Sequence, residues 1–479
     1  MAAQTSYPTF SGSGGADVAI IGAGIVGLTA AYLLAQAGLS VVVLEARRVG
    51  RQVTGRSTAK ITSQHALIYR HLIDTRGIDQ AQYYAEANRR GATQTLSWID
   101  QLGIACELQR KDAYAYTCDP GQREDIKAET EAARRVGFDA QFLDRAPLPF
   151  HTAAAMRFPD QAQFNPAQYL IGLSLAVEAA GGRIFEDTRV TAVDTGDRWR
   201  VTAGKGTLDV RHVVIATNLP IAGPVEYDGR TQPRCHIAMA FRTAADVVDG
   251  MFIGIDEPTH SIRMGRDSEG PLLVALGPRF NTGQNGDVAK RFRDLETWVH
   301  SHLPTGDAMW HWVNEDYETA DRVPFAGAPS DEAPGVYIAT GFNGWGISNG
   351  TATGILIADQ IRGRPNPWAK LYDPRRPAPE DFVQGGESQS EVSRIEDIPP
   401  GEGGIITQGE EKIAVWKDEH GKPHRLSASC THKGCVVTWN NADCTWDCPC
   451  HGSVFQADGT VVHGPAIGPL RPVTGPAKP

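Results

Sequence analysis

The sequence predicts an α/β region interleaved with a second, sheet-forming region, followed by a small all-β domain. Three observations predict it. A complete strand–glycine turn–helix–strand unit stands near the N-terminus, over 17–45. A long insert alternates apolar and polar residues, as half-buried strands do. Near the C-terminus, short β-like runs surround two Cys/His pairs. A chain of 479 residues is too long for one core, and 41% hydrophobic with 21% charged residues is an ordinary globular balance.

Residues 1–16 read as a flexible tail of Ser, Gly and Thr, without the charged and apolar regions of a signal peptide. Asp17–Ile21 is a buried strand, and Gly22-Ala-Gly24-Ile-Val-Gly27 follows it. An Ala/Leu-rich helix runs from Leu28 to Ala37 and stops at Gly38. A second strand, Ser40 to Leu44, ends in Glu45. Here Gly22 permits the turn, Gly24 lets a pyrophosphate approach the helix N-terminus, and Gly27 lets helix and strand pack closely. Glu45 is placed to bond a ribose 2′-hydroxyl. The unit binds a dinucleotide but does not choose between FAD and NAD. The insert over 85–155 is mostly helical by composition, with Ala85 to Leu102 and Arg123 to Val136 the best candidates. The insert over 220–325 predicts antiparallel strands at His236 to Phe241, Met251 to Ile255 and Leu272 to Leu276. Repeated Pro and Gly over 371–403 predict a semi-rigid connection, and 404–479 the small β domain.

Three further stretches resemble the D-amino-acid oxidase-like (DAO) family of FAD-dependent oxidoreductases, over 17–370. They are Gly55-Arg-Ser57-Thr58-Ala-Lys60, Glu186 to Val190 with Val213 to Asn218, and Gly335 to Gly350. The resemblance implies a Rossmann-type FAD-binding domain at about 17–84, 156–219 and 326–365. It also implies an interleaved antiparallel-sheet substrate domain at 85–155 and 220–325. In that family Ser57 and Thr58 would line the pyrophosphate and flavin, and Val190 would contact adenine through its backbone. Thr217 would end the strand that closes the sheet. Gly341-Phe342-Asn343-Gly344-Trp345-Gly346 would present backbone N–H groups and a positive helix end to the flavin pyrimidine. The family's substrate motif has a partial counterpart: Trp312, Thr319, Asp321 and Pro324 match, but Asp316 stands where the family's carboxylate-binding Arg would be. An acid there disfavours a simple α-amino acid and favours a cationic amine; a surface position is the other reading. Lys60, His65, Arg263 and Asp316 are the catalytic candidates. His65 would act as a base, carry a covalent flavin link or satisfy a backbone carbonyl. Arg263 would replace the missing Arg or lie on the surface.

The C-terminal stretch reads Cys430-Thr-His432-Lys-Gly-Cys435 and then Cys448-Pro-Cys450-His451-Gly-Ser453. One thiolate and one imidazole on each of two loops suit a [2Fe–2S] centre with two Cys on one iron and two His on the other; a structural zinc is the alternative. The stretch closely resembles Rieske proteins. By that resemblance Cys430, His432, Cys448 and His451 would hold the cluster, and Cys435 and Cys450 would form the disulfide joining the loops. Gly464-Pro-Ala466 would cover the cluster. Phe455 stands where high-potential members carry a Tyr that bonds a cysteine sulfur, which implies a lower reduction potential.

Together these readings predict a dehydrogenase. An amine or amino-acid-like substrate would reduce FAD, and electrons would leave one at a time through the cluster to an external acceptor protein. The alternative makes the C-terminal domain an electron inlet from an external donor, a sensor or a docking module. No second G-x-G-x-x-G stands in a strand–helix context, which argues against a separate NAD(P)H domain. No Asp-x-x-His-x-x-x-x-His pattern supplies a mononuclear iron, and His300, His302 and His311 fit no facial triad. A net charge of −10 argues against nucleic acid as partner. The apolar runs are too short to span a bilayer. Of the 8 cysteines, only Cys106, Cys118 and Cys235 lie outside 430–450, a distribution that predicts a cytoplasmic protein with one local disulfide.

Overall fold

A computed structural model of the chain describes residues 5–221, 223, 224, 227, 229–283, 286–379, 382 and 390–473. Its first sheet runs in the order Phe325–Gly327, Val336–Thr340, Lys205–Ile215, Ser11–Ile21, Val41–Leu44, Arg183–Phe185. Along this path all neighbours are parallel except the Phe325–Gly327 edge, and Trp199–Ala203 and Val190–Asp194 branch off Lys205–Ile215 as antiparallel strands. Val18 to Ile21 and Val41 to Leu44 are buried on both faces, which is why they read as unbroken apolar runs. The strand ending at Ile215 lies in the middle of this sheet and does not close it, because Val336–Thr340 pairs on its far side. The expected N-terminal tail is also corrected. Ser11 to Ala16 extend the first strand along Lys205 to Val210, and the Glu186 carboxylate accepts from the Thr5 hydroxyl and from the backbone N–H groups of Tyr7 and Val49.

The second sheet runs Ala308–Glu318, Gln232–Arg242, Gly270–Asn281, Ser261–Asp267, Met251–Gly254, Gln109–Thr117, Ala154–Gln163, Lys60–Ile61. It is antiparallel apart from Met251–Gly254 beside Gln109–Thr117, which pair in parallel. The first insert forms the expected helices, Ile78–Gln101 and Arg123–Arg135, and also gives Gln109–Thr117 to this sheet. Helix Val288–His302 packs Val288, Phe292, Leu295 and Val299 against the face carrying Ile237, Met239 and Val313. The opposite face is left to line a pocket, with Ala308–Glu318 as the edge strand.

The C-terminal domain stacks a three-stranded sheet (Gly403–Gln408, Glu411–Lys417, Pro423–Ser427) on a four-stranded one (Thr438–Asn440, Thr445–Asp447, Val454–Gln456, Val461–His463). Ile405, Leu426, Trp439, Trp446 and Phe455 form its core. Val392, Ile395 and Ile398 pack with Ile406 and Ile413, so this domain begins upstream of 404. The connection expected over 371–403 is anchored where described. Arg376 pairs with Asp321 at 2.8 Å, and the Pro374 carbonyl accepts from the Tyr227 hydroxyl. Residues 380, 381 and 383–389 of it lie outside the described residues, as does 474–479. Among the described residues, no helix is long and apolar enough to cross a membrane.

Candidate active site and metal centre

A deep pocket opens at the carboxyl ends of the parallel strands, where open α/β sheets bind ligands. Gly22 to Val26, Glu45, Ser57, Thr58, Lys60, Val190 and Thr217 line it, with Phe342 and Gly344 to Gly346 at the far end. The glycine turn fits a dinucleotide for steric reasons. Gly22 has φ +103°, and a Cβ there would lie 2.6 Å from the Ala216 carbonyl oxygen. A Cβ on Gly27 would lie 2.0 Å from the Gly22 carbonyl oxygen, so only glycine allows this turn to close onto the helix. Helix Ile25–Gln36 presents its N-terminal end, with Ile25 and Val26, to the pocket, as a pyrophosphate needs. The Glu45 carboxylate accepts from Ala23 N–H at 2.8 Å and Arg47 N–H at 2.9 Å while lining the pocket. Burial pushes its pKa up.

Over the opposite wall, cross-strand register brings Asn314, His236 and Arg279 into one row on three adjacent strands. All three line the pocket. Their cue in the sequence is the alternation itself: Trp312, Asn314 and Asp316 fall on one strand face, but only the sheet order reveals the row. Arg279 donates to the Asn343 carbonyl at 3.3 Å and pairs with Glu318. Burial holds His236 neutral, with its pKa pushed down to about 3, and its Nδ1 has no hydrogen-bond partner among the described residues. Asp316 lines the pocket and accepts from Gly344 N–H at 2.6 Å. Burial pushes it up to about 6, against the pull of that bond. It therefore braces the glycine turn beside Arg279 and is not a surface residue.

Lys60 is the catalytic candidate that the pocket retains in open form. Its ammonium donates to the Phe252 carbonyl at 3.1 Å and to Ser261, and no carboxylate pairs with it among the described residues. Burial, then the nearby Arg263 charge, bring its pKa down to about 7. His65 and Arg263 do not line this pocket. His65 stacks on Trp345 at 4.6 Å and contacts Tyr84, Thr62 and Ser348, so it packs behind the glycine turn; burial pushes it down to about 3. The Arg263 guanidinium donates to the carbonyls of Thr58 and Met264 and faces a neighbouring pocket with Glu107 and Gln163. Gly341 and Asn343 also stand back from the lining. The Asn343 side chain accepts from Thr319 N–H at 3.0 Å and donates to the Gly341 carbonyl at 2.7 Å, which shapes the turn that Phe342 and Gly344 present.

The two Cys/His loops meet. Cys435 and Cys450 are joined by a disulfide with Cα atoms 6.5 Å apart. The His432 and His451 rings lie 4.9 Å apart at 89°. The Cys430 sulfur lies beside that of Cys448, and the Ser453 hydroxyl and the backbone N–H groups of His432 and Lys433 point at it. Cys448 faces the N–H groups of Cys450 and His451. Such nests of donors stabilise negative charge on sulfur, which suits an iron–sulfur cluster that gains an electron. Phe455 is fully buried against Trp446 and supplies no such donor. Gly464 packs on Gly452 and Ser453, placing Pro465 and Ala466 over the loops.

The two sites share a wall. Val462, His463 and Gly464 of the C-terminal domain line the same pocket as Gly22 to Val26. Arg47 donates to the carbonyls of Val462 (3.0 Å) and Val461 (3.3 Å). On the far side of the edge strand, the Tyr317 hydroxyl donates to the His451 carbonyl at 2.9 Å. This proximity had no signal in the sequence.

Comparison with known proteins gives the same division. The family model described as FAD dependent oxidoreductase matches residues 17–360, and the Rieske [2Fe-2S] domain matches 388–474. The second match decides against structural zinc. The Rieske 2Fe-2S iron-sulfur protein YhfW of Bacillus subtilis is 31% identical over 98% of this chain and 95% of its own length. Gamma-glutamylputrescine oxidoreductase of Escherichia coli is 22% identical, over 74% of this chain and 86% of its own. Glycine oxidase from Geobacillus kaustophilus superposes with a TM-score of 0.63 at 18% identity, covering 76% of this chain and all (100%) of that one, which shows a shared fold. The chain belongs to the FAD dependent oxidoreductase family and carries a Rieske [2Fe-2S] domain behind the flavoprotein part.

Proposed function

We propose that the pocket oxidises a C–N bond of an amine or amino-acid-like substrate and that the electrons leave singly through the Rieske cluster to an external one-electron acceptor protein. One observation carries the electron route: residues of both domains line a single pocket, and Tyr317 joins that pocket to the His451 loop. The substrate class rests on the family and on the names of two relatives, an oxidoreductase of gamma-glutamylputrescine and an oxidase of glycine. In this reading the substrate carbon gives up a hydride and its nitrogen a proton. The resulting C=N bond takes up water and releases carbonyl product and amine. FAD supplies the two-electron acceptor and the cluster a one-electron outlet, used twice per substrate. His236, Asn314 and Arg279 would orient the substrate, Asp316 would hold the glycine turn, and Lys60 would take the proton.

Anaerobic mixing of the holoprotein with a panel of amines and amino acids tests the route. Flavin bleaching followed by bleaching of the Rieske bands is expected; a fully reduced flavin beside a persistently oxidised cluster would sink it. A cluster reduced first, by an external reductase, would establish the inlet direction instead. Lys60 gives a separate check. A base with a pKa of about 7 is charged below that pH and competent above it. Flavin reduction should therefore rise with pH through about 7 and then level off. In Lys60→Met the rate should fall about 100-fold, within the range for a lost general base, and the pH step should vanish. A retained step in stopped-flow traces would assign it to another group.

A further inference from the structure

We propose that Tyr317 is the positioning residue that seats the cluster loop of His451 against the flavin pocket. The inference rests on the electron route above and names the contact through which it would run. Alternate residues of a strand point to opposite faces. Along the edge strand, Trp312, Asn314 and Asp316 face the pocket, which Tyr317 also touches, whereas Val313 packs into the core behind the sheet. Glu315 and Tyr317 share that outer face, and there they meet the Rieske domain.

The meeting is close. Tyr317 is 2% exposed and Glu315 is 4% exposed. The Tyr317 hydroxyl lies 2.9 Å from the His451 carbonyl and 3.2 Å from Glu315 Oε1. Glu315 is held from three more sides: Thr282 Oγ1 donates to its carboxylate at 2.8 Å, Asn218 to its backbone carbonyl at 3.3 Å, and His463 Nδ1 approaches it at 3.7 Å. Between the two domains stands Gly452, at φ +72°. A Cβ there would lie 2.5 Å from Glu315 Oε1 and 2.7 Å from the Tyr317 hydroxyl, so the loop approaches as backbone alone. The main chain of Tyr317 faces the other way: its carbonyl accepts from Asn343 N–H at 3.0 Å, in the turn that presents Phe342 and Gly344 to the pocket. One residue is thus bonded through its backbone to the flavin-side turn and through its side chain to the residue after Cys450. A phenylalanine would fill the same space but lose the hydroxyl's bond to the His451 loop.

Tyr317→Phe, with both cofactors loaded, tests this with two readouts. In hydrogen exchange, amides over 448–453 should exchange about tenfold faster than in the parent protein, the effect of one hydrogen bond of ordinary strength. In anaerobic flash photoreduction, light reduces the flavin at the expense of added EDTA as the sacrificial electron donor, without substrate, and one electron then passes from reduced flavin to oxidised cluster. That transfer should slow about tenfold, since small displacements of reacting groups carry large rate penalties. The EPR signal of the reduced cluster should persist, which separates mis-seating from cluster loss. Unchanged exchange together with an unchanged transfer rate would overturn the assignment. Faster exchange in a protein whose parent shows no flash transfer would overturn the electron route while leaving the seating role in place.

Discussion

Cys448→Ser is expected to remove the Rieske EPR signal and visible bands and to cut delivery of substrate electrons to a one-electron acceptor by at least about 100-fold, beyond the usual cost of losing an outer-shell partner. The reason is chemical. Cys448 is 1% exposed, and its sulfur lies beside that of Cys430 and faces the backbone N–H groups of Cys450 and His451. A serine oxygen is a poorer ligand for iron in such a site, and the adjacent Cys435 and Cys450 cannot replace it, because they are consumed by their disulfide. The pocket glycines and Lys60 lie in the other domain, so substrate should still bleach the flavin. Iron and sulfide analysis together with anaerobic spectra decide the matter. Full iron content in the variant would show that Cys448 is not a ligand. Undiminished acceptor reduction after cluster loss would show that electrons leave directly from flavin.

Gly27→Ala tests the other cofactor. The added methyl would sit 2.0 Å from the Gly22 carbonyl oxygen and 3.2 Å from Ile20. No side chain can yield there, because the contact is with backbone, so helix and turn must separate. Overpacking of this kind costs about 2–3 kcal/mol, which corresponds to roughly 100-fold weaker FAD binding if the shift opens the pyrophosphate cradle. The protein should emerge from gel filtration depleted of flavin yet folded, with its cluster signal retained. Stoichiometric FAD after dialysis would show that the turn tolerates the methyl and that the cradle lies elsewhere.

These two expectations rest on features already legible in the chain, and the Lys60 and Tyr317 experiments rest on features that were only partly so. The glycine spacing from Gly22 to Gly27 and the Cys/His spacing from Cys430 to His451 are local constraints. A turn that no Cβ can enter and a loop that must carry one thiolate and one imidazole leave their mark within a few residues. Buried parallel strands such as Val41 to Leu44 are equally local, since both faces must be apolar. Lys60 is a candidate by its position after the Ser57-Thr58 turn, but its lowered pKa depends on burial and on the Arg263 charge, some 200 positions along the chain.

Where the expectations parted from the fold, long-range packing was the cause. His65 stands five residues beyond Lys60, yet Trp345 and Tyr84 enclose it behind the glycine turn. Arg263 lies on Ser261–Asp267 of the second sheet, but the carbonyl of Thr58 turns it away from the main pocket. Residues 11–16 read as tail because glycine and serine carry little burial signal; they became strand through pairing with Lys205 to Val210.

The sequence by itself determined two cofactor sites and their order along the chain, because each is written in residues whose chemistry or backbone freedom is irreplaceable at short range. Only the tertiary structure decided that the sites touch. That fact depends on which strand forms the sheet edge, on the alternation that turns Glu315 and Tyr317 outward, and on a glycine at 452 that lets a loop from the other domain come within hydrogen-bond distance. Contacts between residues more than a hundred positions apart leave no periodicity in the chain, so the docking of cluster on flavin pocket is visible only once both surfaces are folded.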